Sequence, residues 1–178
     1  MMPYKFPKRF DQEKAIEVIK FIAQHAPRPD IYWVLKILYF ADKLHLQKYG
    51  RLICGDGYVA MKHGPVPSGT YNILQEARTS NAMPGSHPAP GEIEIQGENL
   101  VVALKEPNLD FFSESDIECI RESIRANGKL EFGQLKRKSH DTAYRAADEN
   151  DFMDIEKIVG TFPNAEAVLE HIRDCSHV

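Results

Sequence analysis

Cysteine is scarce in this chain. Its 178 residues include three, Cys54, Cys119 and Cys175, an odd number with no CxxC pair. That excludes a disulfide-stapled scaffold and points to a reducing, cytoplasmic setting. Long apolar runs are missing as well. The main apolar stretch, 31–46 (IYWVLKILYFADKLHL), is interrupted by Lys36 and by Asp42-Lys43. It falls short of the roughly 18 uninterrupted residues that a membrane span needs. The N-terminus, MMPYKFPKRF, is basic but leads into no apolar segment of signal-peptide length. Charge of one sign is also absent. The 22 basic and 26 acidic residues give −4, which offers no general pull toward nucleic acid or anionic lipid. There is no internal repeat and no low-complexity tract.

What is present is a globular composition, 43% hydrophobic and 27% charged, in a chain of single-domain length. One domain over 1–178, with a core at 12–175, is expected. The 31–46 stretch has apolar residues in nearly every direction of a helical wheel, as a helix buried on several sides does. Asp30 is its expected N-cap, and Gly50 can take the left-handed conformation at its end. Before it, Asp11 caps a helix to about residue 25, and Pro27 and Pro29 break that helix. After it, Gly55-Asp56-Gly57 signals a turn and 58–62 a short strand. Gly64-Pro65-Val66-Pro67 reads as a rigid, non-helical turn, with Ser68 capping a helix over 69–78. Three prolines and two glycines mark 79–91 as a mobile surface loop. The runs 92–96 and 100–104 form a hairpin, expected to pair with 58–62. Ser113 and Asp116 form a capping box for a helix to about 126. Shorter helices follow over 131–139, 140–147 and 155–159, and Asn164 caps a last one to about 175. The predicted fold class is mainly α (α+β): a multi-helix bundle around a central buried helix, with a small three-stranded antiparallel sheet.

A recurrent pattern runs through these elements. It comprises the helix from Lys36 to Asp42 with Tyr39 inside it, Gly50 at the helix end, and Tyr58 in the strand. Gly64-Pro65-Val66, Tyr71 at a helix start, and Ser139-His140 complete it. In this combination the chain resembles the Panacea antitoxin domain, also described as SocA-like or as GepA phage-associated, over about 12–175. The resemblance implies a mostly helical domain with a small sheet, no catalysis and no cofactor. It implies direct binding to a cognate protein toxin, in pairs often carried by prophages. A cellular protease that receives the toxin, with the chain as adaptor, and self-association are further partner options. Surface position on turns and basic helix faces nominates Tyr58, Lys62, His63, Tyr71, Lys136 and Arg137 as toxin contacts.

Other chemistries weigh less. Asp42 and His45 share a helix face and, with His63 or Cys54, would give metal ligands, but the close Cys/His spacing of zinc sites is absent. In the structural reading Asp42 accepts backbone amides of the glycine-rich turn and His45 is a partly buried helix residue. Ser139, His140 and Asp141 are adjacent in sequence, so on a helix their side chains diverge by about 100° per residue and form no triad. Cys54 has no adjacent base to make it a thiolate. The glycine turns lack the Lys-Ser/Thr ending of a phosphate loop. The segment 128–145, with Lys136, Arg137, Lys138 and Arg145, has a helix-turn-helix outline. It keeps a DNA-binding regulator as the alternative function.

Overall fold

A computed structural model describes residues 10–80 and 87–175. The lead-in before Phe10 and the 81–86 part of the expected loop lie outside the described residues. Helix α1 (Gln12–His25) starts where the Asp11 carboxylate accepts the Lys14 amide at 3.0 Å. Helix α2 (Ile31–Tyr49) ends at Gly50, which is left-handed at φ 70°. A Cβ at Gly50 would stand 2.2 Å from the His171 ring, so glycine is required twice over. Asp30 precedes α2, but its side chain makes no capping bond. The Ile31 amide is taken instead by the Asn99 carbonyl.

α2 is the shared wall of two apolar cores, which is why its sequence is apolar all round. On one side Val34, Leu35, Ile37, Leu38 and Ala41 pack with α1 and with Ile73, Leu74, Ile93 and Ile120. On the other, Tyr39 and Leu46 pack with Tyr58, Ala143, Val159 and Ile172.

Two two-stranded antiparallel sheets replace the expected three-stranded one. β1 (Tyr58–Met61) pairs with β2 (Gly64–Pro67), and β3 (Ile93–Gln96) with β4 (Leu100–Ala103). The residues read as a rigid turn, Gly64 to Pro67, are therefore all strand, and the turn falls at Lys62-His63. Tyr58 and Ala60 turn their backbone groups away from β2: Ala60 donates to the Asp151 carbonyl, and Asn150 and Met153 donate to Ala60 and Tyr58. Their register partners are Pro67 and Pro65, so the two prolines occupy outward-facing positions where no ladder N–H is needed. The outer edge of β1 is thus filled by 150–153, with a bridge from Val59 to Phe152. No edge remains there for the second hairpin. That hairpin is held elsewhere: Val101 donates to the Pro29 carbonyl, and Lys20 and Lys105 both bond Glu92.

Helix α3 (Ser68–Thr79) begins one residue earlier than expected, and Ser68 is not its side-chain cap. The Asp56 carboxylate fills that place, accepting the amides of Gly69 and Thr70 at 2.9 and 2.8 Å. A single 3-10 turn (Leu109–Phe111) leads to α4 (Glu114–Asn127), where Ser113 and Asp116 form the expected capping box. α5 (Phe132–Ser139), α6 (Thr142–Arg145), α7 (Ile155–Val159) and α8 (Ala165–Asp174) complete the chain. Asn164 precedes α8 without a side-chain capping bond.

Candidate functional site

The first half of α2 is the floor of an open groove of about 600 Å³. Ile31, Tyr32, Leu35 and Lys36 line it from α2. One wall is the β1–β2 hairpin, through Met61, Lys62, His63 and Val66; the other is the β3–β4 turn, through Glu98, Asn99 and Leu100, with Asp30 beside it. Tyr71 of α3 also lines it. A concave, largely apolar lining with a few convergent polar groups is the usual form of a recognition site.

Lys36 is the central charge. It is 1% exposed, and its ammonium donates to the Pro65 carbonyl at 2.5 Å while lying 5.1 Å from the Tyr32 ring centroid. Burial without a carboxylate pulls its pKa down to about 7. The bond to Pro65 fastens β2 to α2. Gly64 permits this close approach: its φ is +108°, and a Cβ would fall 2.5 Å from the Ser139 hydroxyl and 3.1 Å from the Lys36 ammonium. Tyr32, whose hydroxyl donates to the His63 carbonyl at 3.3 Å, fixes the tip of the hairpin. Burial raises its pKa to about 12. The exposed Phe132 ring of α5 packs on Tyr32 and His63, with centroids 4.7 and 5.5 Å apart.

The region is positively polarised. The His63 pKa is lowered by partial burial and then by Lys136, Lys62 and Lys36. That of His140 is lowered by burial and by Lys136, Lys36, Arg145 and His63. The His140 Nε2 is buried with no hydrogen-bond partner among the described residues, and its ring lies tilted against Tyr144 with centroids 4.1 Å apart. Of the residues nominated as contacts, Lys62, His63 and Tyr71 come together in the groove, and Lys136 lies within electrostatic reach. Arg137 is exposed on α5 outside the lining. Tyr58 is corrected: it is 3% exposed and its hydroxyl donates to Asp42 inside the core. Sequence reasoning misses Tyr32, Lys36 and Leu100. The one available signal is Lys36, the lone charge in an apolar helix.

The second half of α2 carries the other polar cluster. Asp42 accepts the Ile53 amide at 2.6 Å and the Tyr58 hydroxyl, and burial raises its pKa to about 7. The amide it takes belongs to Ile53, ahead of the glycine turn. His45 is fully buried, not partly so; its Nδ1 bonds the Arg51 carbonyl and its Nε2 the Ser115 hydroxyl. Burial lowers its pKa, which fits a neutral ring donating from Nδ1 and accepting at Nε2. Among the described residues no three His, Cys, Asp or Glu side chains are grouped to hold a metal ion. Ser139 donates to the Lys136 carbonyl, while Asp141 caps α6 and pairs with Lys43, so Ser139, His140 and Asp141 form no relay. Burial raises the Cys54 pKa and keeps it a thiol. On α5, Lys138 is drawn toward α4 by its bond to the Asn127 side chain at 2.5 Å.

The remaining signature residues serve the fold or the groove, according to their side of α2. Tyr39 packs on the Tyr58 ring 5.0 Å away, and Val66 lies in the lining. The profile of the antitoxin SocA-like family, Panacea domain, matches residues 34–144. Comparisons with curated proteins and with solved structures returned no match. The matched span runs from the first turn of α2 into α6 and takes in both hairpins, Lys36, Asp42, Gly64 and His140.

Proposed function

Since the chain belongs to the SocA-like antitoxin family, with its Panacea domain, we propose that it is the antitoxin of a toxin–antitoxin pair. In this reading it is a non-enzymatic module that binds a cognate protein toxin in the cytoplasm and blocks the toxin's active surface. The family match over 34–144 carries the reading. The groove over α2 supports it by supplying a concave surface with aromatic and apolar anchors inside a polar rim, the form of a binding hot spot. The hairpins that wall it are fixed to α2 by Lys36, Tyr32 and the Ile31 amide, so little ordering opposes association. Among the described residues no helix is long and apolar enough to cross a membrane.

The test is growth of cells expressing the open reading frame beside this gene, alone and with the chain. Arrest by the neighbour and recovery on co-expression are expected. A toxic neighbour that the chain fails to neutralise overturns the reading.

A further inference from the structure

The groove is electrically lopsided, and the imbalance says what it takes. On the hairpin wall Lys62 and His63 are exposed, Lys36 lies beneath them and Lys136 stands behind. Among the described residues none of these four makes an ion pair, although ion pairs occur elsewhere in the protein. The acids of the groove, Asp30 and Glu98, belong to the other wall. The lining also has apolar groups, Leu35 on the floor, Val66 on the hairpin wall and Leu100 on the other. A buried ammonium held by one carbonyl is incompletely satisfied, because it has three donors and its buried charge has no anion to offset it.

We propose that this groove is the toxin-docking cleft and that it takes a toxin segment presenting an apolar side chain next to a carboxylate. The apolar group sits over Leu35 and Val66, and the carboxylate turns toward Lys62 and His63 with Lys36 below. The inference rests on the antitoxin reading and adds to it the place and chemistry of the contact. Charge complementarity sets the orientation: reversing the segment would put its carboxylate against Asp30 and Glu98, and like charges brought together in an interface are strongly unfavourable. An incoming carboxylate also restores the charged form of Lys36, which burial alone weakens.

The test pairs the purified chain with the product of the adjacent open reading frame, in a binding titration and in the growth assay. The variant K62E/H63E reverses the hairpin wall. Both side chains are exposed, and among the described residues His63 has only the Phe132 ring against it, so the unfolding midpoint serves as the fold control. The comparison variant R125E/K157E makes a charge change at least as large at exposed positions of α4 and α7. K62E/H63E is expected to weaken binding at least about ten-fold and to abolish growth rescue, with R125E/K157E behaving as the unaltered chain. Raised salt should weaken the unaltered pair, and a Glu→Lys or Asp→Lys change in the toxin segment should restore K62E/H63E. Unchanged binding and rescue by K62E/H63E overturns the docking cleft while leaving the antitoxin reading intact. Loss of a dimer in K62E/H63E with toxin binding preserved also overturns it, since the groove would then hold a second copy of the chain. Failure of the unaltered chain to bind and rescue overturns the antitoxin reading itself, and the cleft with it.

Discussion

Helix α2 carries two buried charges of opposite sign, Lys36 and Asp42, and the protein surrounds them differently. Asp42 receives the Ile53 amide and the Tyr58 hydroxyl. One turn on, His45 joins the Arg51 carbonyl to Ser115, and Asp116 gathers Lys14, Arg51 and the Ser113 amide. This is a closed network that ties α2 to α1, to α4 and to the segment before β1. Lys36 has one carbonyl and an aromatic face, and it opens toward a groove. Fully satisfied buried polar groups specify a fold, whereas an under-satisfied one marks a place where something is still to be supplied. The contrast makes the second half of α2 architecture and supports the proposed recognition role of the first half.

The largest expected effect breaks the architectural half. Asp42→Ala leaves the Tyr58 hydroxyl and the Ile53 amide unpaired in the core. It should lower stability by about 4 kcal/mol, read as a fall in the urea midpoint. A loss under about 1 kcal/mol would remove the distinction between the two charges. Gly64→Ala comes next. Its positive φ and the 2.5 Å approach to the Ser139 hydroxyl predict about 3 kcal/mol of destabilisation and a displaced hairpin. Toxin binding should suffer beyond the loss of folded protein, because β2 carries the wall of the groove. Binding that merely follows the folded fraction would separate the hairpin from recognition.

Much of the architectural half is legible in the sequence, and the reasons are local. An all-round apolar helix, an Asp11 cap, a Ser113–Asp116 box and a glycine after Tyr49 are signals carried by neighbouring residues. Strand partnership is not local. The segment 150–153, Asn-Asp-Phe-Met, has no strand pattern, yet its backbone fills the β1 edge and sends the second hairpin to Pro29. The prolines at 65 and 67 suggest a turn until their register with Ala60 and Tyr58 is known. For the same reason the groove is only partly legible. Lys62, His63 and Tyr71 are recognisable as polar or aromatic residues near turns, but the groove itself exists only once two hairpins distant in sequence meet over Tyr32 and Lys36. Tyr58 misleads because an aromatic residue on a short strand suits either face, and the Asp42 carboxylate decides for the inside.

The smallest effect is the sharpest test, because Lys36 should trade stability for binding. Its folded pKa, about 7, lies below the unfolded value of 10.5, so above pH 7 the unfolded chain holds more protons than the folded one. Stability from this group is therefore lost as pH falls toward 7 and regained as pH rises, by up to about 1.4 kcal/mol per pH unit. Asp42 has the opposite sign over a lower window: its pKa is raised from 3.8 to about 7, so its contribution declines as pH rises through that range. Above pH 9 the raised thiols of Cys54 and Cys119 begin to count, so Lys36 is read over pH 7 to 9 as the difference between the unaltered chain and a Lys36 variant, which cancels Lys138, whose pKa burial also lowers. Lys36→Met removes the titration while keeping most of the volume, and a buried charge replaced by an apolar side chain is often neutral or stabilising. The variant should be the more stable protein at pH 7, and its advantage should shrink by about 2 kcal/mol on going to pH 9. On the proposed docking, toxin affinity should fall in the same variant, since the toxin's carboxylate would lose the ammonium beneath it. A variant that is more stable and binds the toxin as well as before would make Lys36 only the fastening of Pro65, and the two halves of α2 would then differ in degree, not in task.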